Sequence, residues 1–308
     1  MLNKIFARRY RKAWAMAGLV AILALTLAFP PVRAIANSFL GLFRVQQFSV
    51  VQINPGDLPE QLGSSSQLES MLSTNVNVEE LGEPQEVTGV EEAQALSGIN
   101  VRLPTYLEDV PDLRVTPGAH VSFDIDMAHV NAVLAEIGRG DIQLPAALDG
   151  AQVSIDISNG VAAQYGDCSF DGEAAARSGE DPDNPRVPRL PECTTLLQST
   201  SPVVEAPPGL DIARIGEAFL QVLGMSPDEA AQFSKNIDWT TTFVIPIPQY
   251  GTSYQDVVVD GVNGTFIHQD LQRSPDQYML LWVKDDIVYA LTGPGSMRTA
   301  LKIAESLE

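Results

Sequence analysis

The chain has 308 residues, 45% of them hydrophobic, and a formal net charge of −20 at pH 7. Such a length and apolar content supply a globular core, and the acid excess excludes a surface built for phosphate backbones, so no nucleic-acid contact is expected. The five charges in the first twelve residues (Lys4, Arg8, Arg9, Arg11 and Lys12) are all positive, which leaves −25 on the remainder against the total of −20.

Residues 1–12 form a basic tail too short to fold into a domain. Residues 13–29, AWAMAGLVAILALTLAF, carry no charge and present Trp14, Leu19, Ile22, Leu25 and Phe29 to their surroundings. As a helix this run spans roughly 25 Å, close to the thickness of a bilayer core. The basic residues on its short side place the tail in the cytoplasm and everything after Pro30 outside, in a single-pass membrane protein. The rival reading is a cleaved signal peptide, for which Ala34-Ile35-Ala36 fits the cleavage pattern. Residues 30–53 then read as a juxtamembrane segment. Ile35, Phe39, Leu42 and Phe43 have helical spacing, and Gln46 to Ile53 resembles a short strand. Residues 54–94, with Gly63-Ser64-Ser65-Ser66, several glutamates and few aromatics, read as an acidic flexible tether.

From residue 95 to 308 the patterns are those of a folded domain outside the membrane. Ile99 to Leu103 alternates as a strand, and Val121 to Ile125 is a stronger one. Asp126 is placed to cap a helix from Met127 to Ile137. Gln152 to Ile157 and Val161 to Tyr165 flank Ser158-Asn159-Gly160, a strong local hairpin signal. Asp211 caps a helix with Ile212, Ile215, Phe219, Val222 and Leu223 on one stripe. Ser226-Pro227-Asp228-Glu229 starts a second helix with a capping box. Five strand candidates follow: Thr240 to Ile247, Gln255 to Val259, Asn263 to Gln269, Gln277 to Val283 and Ile287 to Leu291. Ser296 opens a last helix. Strands followed by packing helices give an α+β fold with a mainly antiparallel sheet behind the single transmembrane helix.

The two cysteines, Cys168 and Cys193, are expected to form a disulfide, since an isolated pair outside the cytoplasm most simply does so. The segment between them (168–193) has Pro182, Pro185, Pro188 and Pro191 at every third residue. This is the period of polyproline II, and a stiff surface insertion pinned by the disulfide is expected. A search for chemistry gives little. Asp124, Asp126 and His129 share a neighbourhood, but Asp126 is better used as a cap. Asp181, Asp183 and Glu192 match calcium-loop positions, but Arg186 stands where a glycine is needed. His268 and Asp270 share a strand parity without a nucleophile elbow. The chain carries no phosphate-cradling glycine loop, and no metal or cofactor is expected.

Two stretches carry a family resemblance. Val32-Arg33-Ala34 and Phe39 to Phe48 follow the apolar span. Gln277 to Thr292 (QYMLLWVKDDIVYALT) precedes a final helix containing Ala304-Glu305-Ser306-Leu307, and Leu96 to Ile99 with Leu103 to Leu107 adds an opening stretch. Together they resemble an uncharacterised outer domain found behind the transmembrane helix of bacterial anti-sigma factors. This resemblance implies a curved antiparallel half-barrel like those of lipoprotein carriers. It also implies a non-enzymatic sensor or regulatory domain, although twelve cytoplasmic residues cannot supply the sigma-binding helices. The expected partners are the bilayer and a second membrane or sigma-regulatory protein. The alternative is a tethered carrier for a lipid or lipoprotein acyl chain.

Overall fold

In a computed structural model of the chain, the residues described are 43–54, 56, 76–168, 193–207, 209–270 and 276–308. The expected span over 13–29, the topology-setting Lys4, Arg8, Arg9, Arg11 and Lys12, and the proline-rich insertion lie outside them. Among the described residues no helix is long and apolar enough to cross a membrane.

The described chain opens on β1 (Phe43–Arg44), β2 (Gln47–Ile53), β3 (Val76–Glu80) and β4 (Gln85–Val87), followed by helix α1 (Val90–Ser97). Glu91 and Glu92 occupy the first turn of α1, where the helix dipole favours carboxylates. Next come β5 (Asp112–Thr116), β6 (Ala119–Asp124) and α2 (Met127–Glu136). The Asp126 carboxylate caps α2 by accepting from the N–H groups of Ala128 and His129. Strands β7 (Gln152–Ile157), β8 (Gly160–Gly166), β9 (Cys193–Thr200) and β10 (Val203–Glu205) follow. Helix α3 (Ile212–Val222) is capped by Asp211, and α4 (Pro227–Ser234) by the full Ser226–Glu229 box. The chain ends with β11 (Thr242–Pro248), β12 (Thr252–Val259), β13 (Val262–Gln269), β14 (Gln277–Lys284), β15 (Ile287–Pro294) and α5 (Met297–Glu305), the last capped by Ser296. Asp260 and Gly261 (φ 51° and 78°) and Asp285 and Asp286 (φ 52° and 65°) make two-residue turns with both central residues left-handed, which match the strand twist.

Four runs of the chain serve two sheets each. An eight-stranded antiparallel sheet has the order β12-β13-β14-β15-β9-β8-β5-β4, and a five-stranded one the order β1-β10-β7-β6-β3. The consecutive strands β3 and β4, β5 and β6, β7 and β8, and β9 and β10 each divide between the two. Thr116 pairs with Gly160 in one sheet and Ala119 with Ile157 in the other, so paired runs bend together at Pro117-Gly118 and Ser158-Asn159. At this elbow the backbones come close. A Cβ on Gly118 would lie 2.2 Å from the Ile157 carbonyl oxygen, so only glycine fits. Asn159 locks the bend: its Oδ1 accepts from Gly118 N at 2.7 Å and its Nδ2 donates to the Leu96 carbonyl at 2.9 Å. The hairpin expected at Ser158-Asn159-Gly160 is therefore corrected. β7 and β8 are not partners, and the asparagine ties a sheet switch to α1.

Phe43 to Glu308 forms one compact unit built in layers. One face of the eight-stranded sheet, with Val161, Leu196, Leu280, Trp282 and Leu291, packs on Ala93 of α1, on Ile99 and Val101, and on Ala300, Ile303 and Ala304 of α5. The other face meets a two-stranded parallel ribbon in which β2 pairs with β11 from Gln47↔Thr242 to Ile53↔Pro248. Val50 and Ile247 of the ribbon cover Ile267 and Leu281 of the sheet. The ribbon's opposite face, with Val51 and Val244, packs on Leu220 of α3 and Ala230 of α4. Gly216 lets α3 approach, since a Cβ there would fall 2.4 Å from the Trp239 ring. Ala218 carries α3 onward to Leu134 of α2 and to Ile137 at its C-terminal end. The α+β class with mainly antiparallel, curved sheets stands, with the β2–β11 ribbon as its parallel exception.

Three local expectations change. Residues 76–94, read as part of a tether, carry β3, β4 and the start of α1. β3 is exposed at every residue, so its pairing with β6 leaves no burial pattern in the sequence. Ile99 to Leu103 is not a strand. The side-chain amide of Gln198 replaces a partner backbone, accepting from Arg102 N at 2.9 Å and donating to the Arg102 carbonyl at 2.8 Å. Phe219, placed on the buried stripe of α3, is 42% exposed, because the buried positions are Gly216, Ala218 and Leu220.

Cys168 and Cys193 are joined in a disulfide with a Cα–Cα distance of 4.8 Å. The bridge closes a loop of 25 residues at the ends of β8 and β9. Replacing both cysteines by serine should lower stability by about 3 kcal/mol. Denaturant unfolding in non-reducing buffer checks this, and unchanged unfolding would contradict it.

Candidate functional site

Two clefts open on the helix-bearing side of the eight-stranded sheet. The first, of about 670 Å³, is lined by Ser253, Tyr254 and Gln255 of β12, Phe266 and His268 of β13, Asp276, and Gly295-Ser296-Met297 at the start of α5. Register builds it: Ser253 lies opposite His268, and Gln255 opposite Phe266. The rings of His268 and Tyr278 flank Phe266, with centroid separations of 6.4 and 6.0 Å. Burial pushes the Tyr278 hydroxyl up to about 12, so it stays protonated at neutral pH. The His268 Nε2 sits 3.3 Å from an Asp276 carboxylate oxygen.

A serine, a histidine and an aspartate thus share one cleft, although sequence parity had joined His268 to Asp270. Their arrangement differs from a hydrolytic triad. Ser253 lies in a regular antiparallel strand rather than on a strained turn, and Asp276 is half-exposed rather than buried behind the imidazole. The cleft offers hydroxyls, an amide, a carboxylate–imidazole pair and two apolar side chains, a set suited to reversible contact with a polypeptide or a small polar ligand.

The second cleft, of about 460 Å³, is lined by Gly98 to Asn100, Arg102, Thr200, Lys284, Asp285, Ile287 and Tyr289. Two of its lining residues, Arg102 and Lys284, clasp Asp260. Arg102 forms a bidentate pair with that carboxylate and donates to the Leu307 carbonyl at 2.8 Å. Lys284 Nζ donates to Asp260 Oδ1 at 2.7 Å and to the Asp260 carbonyl at 2.9 Å. Burial alone would raise the Asp260 carboxyl. The hydrogen bonds and charges of Arg102 and Lys284 outweigh it and hold the carboxyl below its ordinary value. The hydrogen bond to Asp260 in turn raises the Arg102 guanidinium. Both cations point at Asp260, which gives the clasp a structural role. No local sequence signal joins these residues, because Arg102 lies 158 positions from Asp260.

The remaining sequence candidates separate. Asp126 is spent on the α2 cap, and the three histidines stand on β6, α2 and β13. His120 instead approaches Asp156, with Nδ1 2.7 Å from the carboxylate, across the β6–β7 pair. Among the described residues no group of three or more histidine, cysteine or acidic side chains is placed to hold a metal. Asp181, Asp183 and Glu192 lie outside those residues, as do Trp14, Leu19, Ile22, Leu25 and Phe29.

Residues 241–307 match the family model of a domain of unknown function (DUF4367), about a fifth of the chain. The matched stretch runs from β11 to α5 and contains every residue lining the first cleft. Comparison with curated proteins gives no match, and neither does comparison with solved structures.

Proposed function

We propose that the chain is a non-enzymatic, membrane-anchored sensor or regulatory domain that meets a protein partner outside the cytoplasm. In this reading it is related to the outer part of transmembrane anti-sigma factors. The observation that carries it is the first cleft: a polar-and-apolar surface beside an open strand edge, lying wholly within the stretch that matches an uncharacterised domain family. The basic tail and the apolar run over 13–29 support the anchor and its orientation. The differently placed Ser253, His268 and Asp276 favour binding over hydrolysis.

The alternative, a tethered carrier of an acyl chain, needs an apolar hollow between sheet and helices. That space is occupied by Trp282, Leu280, Leu291 and Ile303, all at most 2% exposed. Organic extraction of the full-length protein, purified in exchangeable detergent, tests the choice by mass spectrometry of the extract. The sensor reading expects no stoichiometric acyl lipid. One lipid per chain surviving detergent exchange would replace it with the carrier.

A further inference from the structure

Sheet edges are ordinarily blunted by proline, lysine, bulges or short strands, because open backbone groups invite another strand. β12 has no proline, lysine or bulge over its eight residues, and its one charge is Asp256. All eight of its residues pair with β13 in unbroken register, from Thr252↔Gln269 to Val259↔Val262. Among the described residues β12 ends the sheet, with no strand on its outer side. Ser253 to Asp256 are exposed, and so is Val258. The first cleft lies along the same strand.

Alternation gives this edge two readable faces. Ser253 and Gln255 line the cleft, opposite His268 and Phe266. Tyr254, Asp256 and Val258 share the alternate parity, opposite Ile267, Thr265 and Asn263; Tyr254 borders the cleft as well, and Tyr254 is 42% and Val258 68% exposed. An apolar, an acidic and an apolar side chain therefore stand at successive positions on one side of an open edge. We propose that β12 receives an extended segment of a partner protein as an added antiparallel strand. That segment is recognised by apolar, basic and apolar side chains at alternate positions opposite Val258, Asp256 and Tyr254. Backbone hydrogen bonds hold the segment, and the cross-strand pairs choose it. The net charge of −20 draws a basic segment and repels an acidic one. It also makes a second copy of this chain the poorer occupant. The proposal deepens the partner-binding reading above and rests on it.

The test uses the full chain in mild detergent and two synthetic peptides, Ser-Ile-Thr-Lys-Thr-Val-Ser and the same sequence with glutamate for lysine. Binding is read by calorimetry, and its place by hydrogen exchange. The lysine peptide should bind about fivefold more tightly than the glutamate peptide and protect the amides of 252–259. Asp256→Lys, a change on an exposed edge, should reverse that preference. Lack of binding at millimolar peptide overturns the proposal. So do equal affinities, protection elsewhere, or a dimer of this chain that the peptide dissociates. A native partner that stays bound to the Asp256→Lys chain would remove the edge as its site while leaving the sensor reading in place.

Discussion

Trp282→Ala is expected to lower the stability of the Phe43–Glu308 unit by about 3–5 kcal/mol, the range for removing a fully buried aromatic side chain. The indole is 0% exposed and stacks on Tyr289 with centroids 4.9 Å apart and planes 5° apart. Arg102 lies over the far partner of that stack, 5.9 Å from the Tyr289 centroid. Alanine would leave a hole beneath α5 and the 99–103 segment, and would loosen the ring that Arg102 packs on. Trp282→Phe separates shape from polarity. The indole Nε1 is buried without a hydrogen-bond partner, so phenylalanine gives up no hydrogen bond and should lose less than half as much. At this size the alanine variant should melt roughly 10 °C lower. A loss below about 1 kcal/mol would mean that the sheet–helix layer is not the stabilising core.

Asp260→Ala should cost about 2–3 kcal/mol, less than the full penalty for breaking a buried pair because its partners reach some water. The Arg102 and Lys284 side chains are 19% and 30% exposed, against 10% for Asp260. Removing the carboxylate leaves two cations facing each other and frees the segment that Arg102 holds to the Leu307 carbonyl. The pH dependence follows from the lowered Asp260 carboxyl. A group whose folded value lies below its unfolded one stabilises above the unfolded value, about 3.9 for aspartate, and loses that contribution as pH falls through the folded value. Wild type and Asp260→Asn should therefore differ most at neutral pH and converge below about pH 4. A gap that persists unchanged into strong acid would contradict the clasp.

Local signals carried much of the fold. The Asp126, Asp211, Ser226 and Ser296 caps act through hydrogen bonds within a turn or so of chain, and each is where the residues placed it. β11 and β15 alternate in burial, whereas the middles of β13 and β14 are buried on both faces, between the helices and the ribbon. What failed was non-local. Asn159-Gly160 carries a hairpin signal, but the paired run across from it bends at Pro117-Gly118, and the two bends together switch sheets. Gln198 substitutes for a strand partner of the 99–103 segment, which no periodicity announces. β2 finds β11 from the opposite end of the compact unit. The first cleft was half legible: His268 stood out, but its carboxylate is Asp276, beyond the segment 271–275, and Ser253 joins it only through the β12–β13 register. The Arg102–Asp260–Lys284 clasp left no trace in sequence because its three members belong to separate elements.

The measurement closest to the central claim is recovery of the tagged full-length protein from its host cells in mild detergent, repeated from the partner's side with the tag exchanged. The account predicts one membrane or sigma-regulatory protein in stoichiometric amount in both directions. Recovery of the chain alone, or with a bound lipid and no protein, would contradict it.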